Sequence, residues 1–108
     1  MSTNFIKPLD RSDFSAVKAA KQDLFGGAQL FVGLNCFERG QTQEIHAHAG
    51  ADKFYFLISG KARMTVGQET QLAESGALVW APAGVPHGVV EALERTVMLV
   101  AIAPPPRA

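Results

Sequence analysis

Glycine and proline recur along this chain at intervals too short to leave room for a long helix. Gly26-Gly27, Gly40, Gly50, Gly60, Gly67, Gly76, Pro82, Gly84, Pro86 and Gly88 cut it into short runs rich in Val, Phe, Leu and Thr. Those two residues are the strongest local breakers of regular structure. Short β-prone runs between regular turn signals point to an all-β sandwich or barrel. Strands are expected over 29–38, 43–48, 54–58, 62–66, 69–72, 77–80, 88–91 and 96–102. Gly67-Gln68 should close a tight hairpin, because glycine at the first central position suits a type II′ turn. The stretch from Asp13 to Leu24 reads either as a short helix capped by Asp13 or as an extra edge strand; the strand is the expectation, since it would help to close the sheet. Pro82 and Pro86 bracket a segment that cannot be a central strand, as neither residue donates to a ladder. That segment is expected to be a rigid loop delivering His87 to a fixed place.

At 108 residues the chain makes about one domain. It divides into an N-terminal arm or strand (1–27), a barrel (28–103) and an extended tail (104–108) that carries Pro104-Pro105-Pro106. Ten basic and ten acidic residues leave no formal net charge, so nothing marks a broad footprint for nucleic acid or an acidic membrane. The lone cysteine, Cys36, cannot form an intrachain disulfide and reads as a buried, inert thiol. No apolar run approaches the roughly 18 residues that span a bilayer, and the first residues lack an apolar core of signal-peptide length. The expectation is a soluble, cytoplasmic protein with neither nucleic-acid nor membrane partners.

The three histidines carry the chemical information. His46 and His48 are two apart, so on a strand both side chains point to one face. His87 follows the proline loop, and a neighbouring antiparallel strand can bring it opposite the pair. Three imidazoles with open positions describe a site that keeps room for water or substrate around a metal ion.

These residues sit in a pattern that resembles the cupin family. Its first motif, G-x5-H-x-H-x3-4-E-x6-G, is matched by Gly40, His46, His48, Lys53 and Gly60; its second, G-x5-P-x-G-x2-H-x3-N, by Gly76, Pro82, Gly84, His87 and Glu91. Eight of the ten defining positions agree, and the two motifs cover residues 40–91. The resemblance implies a cupin-type jelly-roll β-barrel, also called a double-stranded β-helix, with a short N-terminal helix or an exchanged N-terminal strand. It also implies one divalent ion (Fe, Mn, Ni or Zn) held by His46, His48 and His87. The two departures are Lys53 where the family carries its carboxylate ligand and Glu91 where it carries Asn. An ammonium is repelled by a divalent ion and ligates only when its pKa is strongly depressed. Glu44, two before His46, and Glu91, four after His87, are candidates for a fourth ligand or a supporting hydrogen bond, with solvated strand-end carboxylates as the alternative. Glu91 would also face Lys53, whereas Asp52 should point the other way.

Family register turns Lys53 into the cavity as an anion-binding group; the alternative is a rim lysine with its head in water. Tyr55 and Leu57 share its face, so Tyr55 is either a cavity hydroxyl or a core aromatic. Met64, Met98 and Phe31 read as packing, and Trp80 as core or interface. Apolar residues on both faces of several strands exceed what one small barrel needs. Together with the family's habit of pairing through an outer sheet, this leads to an expected homodimer. Three functions compete: a metal-dependent dioxygenase or isomerase acting on a small, anionic molecule; a non-catalytic small-molecule binding or sensing module; and a degenerate cupin without metal.

Overall fold

The computed structural model describes residues 3–106, and within them each of the eight runs expected to be extended forms a strand. The strands are β1 (Ala20–Gly26), β2 (Phe31–Phe37), β3 (Gln43–His46), β4 (Asp52–Ser59), β5 (Lys61–Val66), β6 (Glu69–Glu74), β7 (Leu78–Ala81), β8 (His87–Ala92) and β9 (Thr96–Ala103). They build two antiparallel sheets, one ordered β1-β2-β9-β4-β7 and the other β3-β8-β5-β6. Inward-facing Phe37, Tyr55, Leu57, Met64, Val89 and Met98 form the main core between them. The architecture is a jelly-roll barrel.

The ambiguous N-terminal stretch resolves as a strand that begins later than expected. β1 pairs with β2 of the same chain, Lys21 opposite Asn35 and Gln22 opposite Leu34. The short helical element is a 3-10 turn over Pro8–Arg11, and Asp13 lies outside it. Phe14 and Leu24 pack with Leu34, Cys36 and Val97 in a second apolar cluster. Cys36 is fully buried there, and burial pushes its thiol pKa up, as an inert thiol requires. The last two residues of the expected tail lie outside the described ones. Among the described residues, no helix is long and apolar enough to cross a membrane.

Gly67 has φ +60° while Gln68 has an ordinary negative φ, which fits the expected II′ hairpin between β5 and β6. Gly60, between β4 and β5, is a harder constraint. Its φ is +98°, and a Cβ there would overlap Thr96 and the Arg95 carbonyl. The first motif therefore ends on glycine because the chain turns directly over β9.

Trp80 is not a core residue. It is 55% exposed, opposite Phe54 on the outer face of the larger sheet.

Two bulges decide which side chains reach the barrel interior. Between Gln43 and His46, β3 advances three residues while β8 advances two, from Val89 to His87. Between Arg63 and Met64, β5 advances one residue while β8 advances two, so Val90 is the extra residue.

A candidate metal centre

His46 ends β3, His87 begins β8, and the two are directly opposed across the ladder. His48 lies just past the end of β3 rather than within the strand, and the chain there curls so that its ring still turns towards His46. The ring centroids are 4.7 Å apart for His46 and His87, 4.8 Å for His46 and His48, and 5.4 Å for His48 and His87. One ligand nitrogen from each ring lies within 4.8 Å of the others.

The backbone sets the tautomers. His46 Nδ1 is 2.8 Å from the Glu44 carbonyl oxygen and His87 Nδ1 is 3.0 Å from that of Val85. A carbonyl oxygen only accepts, so both Nδ1 atoms carry the proton and both Nε2 atoms present lone pairs. His46 Nε2 and His48 Nε2 are 3.2 Å apart. Two nitrogens bound at about 2.1 Å to one ion, at angles between octahedral and tetrahedral, would lie roughly 3.0–3.4 Å apart. His87 Nε2 is buried and has no protein partner. A buried acceptor left unmatched is costly unless an ion or water satisfies it. The donor set thus fits a divalent cation: three Nε2 atoms, those of His46 and His87 presenting lone pairs because main-chain carbonyls hold the Nδ1 protons.

The surroundings of His48 and His87 favour the neutral ring, the form that binds metals. Burial lowers the His48 pKa, and His46, Lys53, His87 and Lys21 add to the effect. Burial lowers that of His87 as well; the Val85 carbonyl opposes this, and Lys53 and His46 reinforce it.

The proline loop between β7 and β8 is pinned at two points. The Ala83 N–H donates to Asp52 Oδ1 at 2.9 Å, and the Gly84 N–H donates to the His48 carbonyl at 3.0 Å. The second bond ties the loop that delivers His87 to the segment carrying His48. Asp52 does point away from the cavity, as expected, and supports the site from behind.

Both acidic candidates for a fourth ligand are turned out of the site, and the bulges are the reason. Strict alternation from His46 would bring Glu44 inward, but the extra β3 residue brings Gln43 inward and leaves Glu44 exposed. Glu44 supports His46 through its carbonyl, not its carboxylate. Val90 likewise resets the parity of β8, so Ala92 enters the core and Glu91 faces solvent, 4.0 Å from Arg63 rather than beside Lys53. Among the described residues no carboxylate joins the three histidines.

Lys53 does face inward and is only 4% exposed. Its Nζ lies 4.4 Å from the centroid of the Tyr55 ring. Burial, with Lys21 nearby, lowers its pKa from 10.5 to about 8. Tyr55 is fully buried and donates its hydroxyl to Gln43 Oε1 at 2.5 Å, so it is a core aromatic whose hydroxyl is already used. Its pKa is pushed far up by burial. A cavity of about 270 Å³ is lined by His46, His48, Lys53, Lys21 and Asn35 together with apolar residues of β2 and β9. His87 sits behind this wall, 1% exposed.

Three residues around the site, Asn35, Gln43 and Lys21, are not defining positions of the motifs. Asn35 faces inward on β2 between apolar neighbours, where an amide at an inward position of an alternating strand was the available signal. Gln43 and Lys21 had no such signal, because their facing depends on the β3 bulge and on the register of β1.

A jelly roll with a histidine triplet set between adjacent strands of one sheet defines a class of small barrel proteins whose clustered imidazoles could hold a metal ion. The chain belongs to the cupin family: the model of the cupin domain matches residues 33–103. An uncharacterised protein of Streptomyces coelicolor, SCO3923, is 40% identical over 76 residues, which cover 70% of this chain and 71% of that one. The crystal structure of TT1209 from Thermus thermophilus is 32% identical with a TM-score of 0.90, covering 96% of this chain and all of that one. An RmlC-like cupin from Desulfovibrio desulfuricans is 25% identical with a TM-score of 0.81, covering 98% of each chain. KdgF from Halomonas shares the fold at 20% identity, with a TM-score of 0.83 over 98% of this chain and 96% of its own.

Proposed function

We propose that this cupin holds one divalent metal ion through Nε2 of His46, His48 and His87 and acts on a small anionic organic molecule, as a metal-dependent dioxygenase or isomerase. The observation that carries the reading is the buried, unpartnered His87 Nε2 facing two further Nε2 atoms. When bound, such an ion supplies Lewis acidity at a substrate oxygen or, if redox-active, a site for dioxygen chemistry. The protein's part is to orient the imidazoles, and to supply the inward ammonium of Lys53 for a negatively charged substrate. The three histidines add no charge to the ion, so the site keeps a net positive potential that favours anions.

A cytoplasmic location and a homodimer paired through the outer face of the larger sheet belong to the same proposal. The exposed cluster of Phe56, Leu78 and Trp80 supports the pairing.

The test is elemental analysis of purified protein together with titration by Fe, Mn, Ni and Zn. One equivalent of tightly bound ion is expected, with His46→Ala and His87→Ala each losing it, and with metal-dependent oxygen uptake or isomerisation abolished in both. Stoichiometric metal retained in both variants would overturn the reading. A second reading, a non-catalytic anion-binding module, rests on Lys53, because a buried cation beside the histidines lowers their affinity for metal. It predicts anion binding without turnover, and Lys53→Glu strengthening metal retention.

A further inference from the structure

The partners described above account for the Tyr55 hydroxyl, Gln43 Oε1 and the Nδ1 atoms of His46 and His87, but two further inward polar groups beside the histidines have no such partner. Lys53 is 4% exposed and belongs to none of the ion pairs among the described residues, which are Lys61–Glu74, Arg63–Glu91 and Arg95–Glu38. Asn35 is also 4% exposed, and its Nδ2 is buried without a protein partner. The two come from different strands, β4 and β2, yet line one cavity with His46 and His48. An ammonium and an amide donor, both without protein acceptors, form a receptor for oxygen.

We infer that Lys53 and Asn35 form a subsite for a small hydroxy- or oxo-carboxylate beside the histidine cluster. The ammonium takes the carboxylate, and the amide donates to the second oxygen. Amide rotation can bring either end of Asn35 to the ligand. At about 270 Å³ the cavity equals roughly nine waters' share of liquid volume, which limits the ligand to a few carbons. Phe31, Val100 and Ile102 on the same wall suit a short apolar stem. Lys21 and Asp23 of β1 also line it, and no ion pair joins them among the described residues. The inference deepens the functional reading above by naming the anion, and it rests on that reading for the chemistry but not for binding.

Three probes separate the two contacts in metal-free protein, by calorimetry and by the side-chain amide resonance of Asn35. Lactate carries both groups, lactamide lacks the charge, and propionate lacks the hydroxyl. Wild type should prefer lactate to lactamide by about tenfold or more, the usual worth of a charge-assisted hydrogen bond, and lactate to propionate by roughly fivefold. Lys53→Met should bring lactate and lactamide to parity. Asn35→Ala should do so for lactate and propionate, and the isosteric Asn35→Asp should abolish lactate binding. Equal binding of lactate and lactamide by wild type, no lactate binding at all, or discrimination that survives Lys53→Met would each overturn the subsite. Inorganic phosphate binding more tightly than lactate and depending on Lys53 would overturn the carboxylate assignment in favour of a general oxyanion site. Repeating the titrations with Co²⁺ keeps the two readings apart: failure to bind Co²⁺ sinks the metal centre and leaves the metal-free lactate result standing.

Discussion

At the scale of single residues, Lys53 is the costliest group in the barrel. Its pKa is lowered from 10.5 to about 8 because burial penalises the charged form, and no carboxylate compensates. The sign follows from linkage. Below about pH 8 the lysine is protonated both folded and unfolded, so the penalty is fully present. Between about 8 and 10.5 the folded state sheds the proton first and the penalty fades. Each pKa unit is worth about 1.4 kcal/mol, so the full penalty is on the order of 3 kcal/mol, partly offset by the Tyr55 ring beneath Nζ. Metal-free wild type should therefore become more stable to urea as pH rises from 7 to 10. Lys53→Met should be the more stable protein at pH 7 and should lack that rise. Equal urea midpoints for the two proteins at pH 7 would mean that the ammonium reaches water. The proposed carboxylate subsite would give such a cost a use, and this links the stability measurement to the lactate titrations.

At the scale of strands, the legible and the illegible parts of the site separate cleanly. Turn residues are local chemistry, so Gly60, Gly67 and the Pro82–Pro86 loop were readable from the chain, and with them the strands they bound. The histidines were readable because their spacing survives the fold, although His48 leaves the strand. Glu44 and Glu91 were misassigned because alternation holds only within an uninterrupted ladder. One extra residue in β3 and one in β8 shift every side chain beyond them to the opposite face. A bulge is set by the register of two strands far apart in sequence, and period-two reading of one strand cannot see it. Gly88 shows how closely the β3 bulge is held, since a Cβ there would sit 2.8 Å from the Gln43 carbonyl oxygen and 3.0 Å from that of Glu44. The Glu44 carbonyl orients His46. Gly88→Ala should therefore weaken metal affinity by at least tenfold while the protein stays folded, as read by titration and circular dichroism. Unchanged affinity would show that His46 does not depend on the bulge. Gly60→Ala should act on stability instead. It meets both a positive φ and an overlap with β9, so a loss above about 3 kcal/mol is expected. Gly50→Ala, with φ +77° and nothing within 4 Å, should lose only about 1–2 kcal/mol. Similar midpoint shifts in chemical denaturation would refute the contact argument.

At the scale of the whole molecule, the two faces of β4 have different tasks. Its inner face carries Lys53, Tyr55 and Leu57 to the core and cavity, while Phe54 and Phe56 on its outer face lie opposite Trp80 and Leu78 of the edge strand β7. Leu78 is 66% exposed and Trp80 55%, an unusual amount of contiguous apolar surface for a barrel whose core is already complete. A second copy is the occupant we propose for this patch. Two-fold pairing matches the patch to itself and covers the exposed outer face of β7. Such pairing would stiffen β4 from outside and so steady Lys53 on the other side of the same strand, without blocking the cavity. Light scattering on a sizing column should give about 23 kDa, twice the 11.6 kDa chain. The double variant Leu78→Lys, Trp80→Lys should give the single-chain mass with its melting curve still cooperative, because neither side chain belongs to the core. Lactate affinity should fall modestly in that variant if the interface steadies β4. A wild-type protein that stays monomeric at several hundred micromolar would sink the dimer and leave the patch to a different partner.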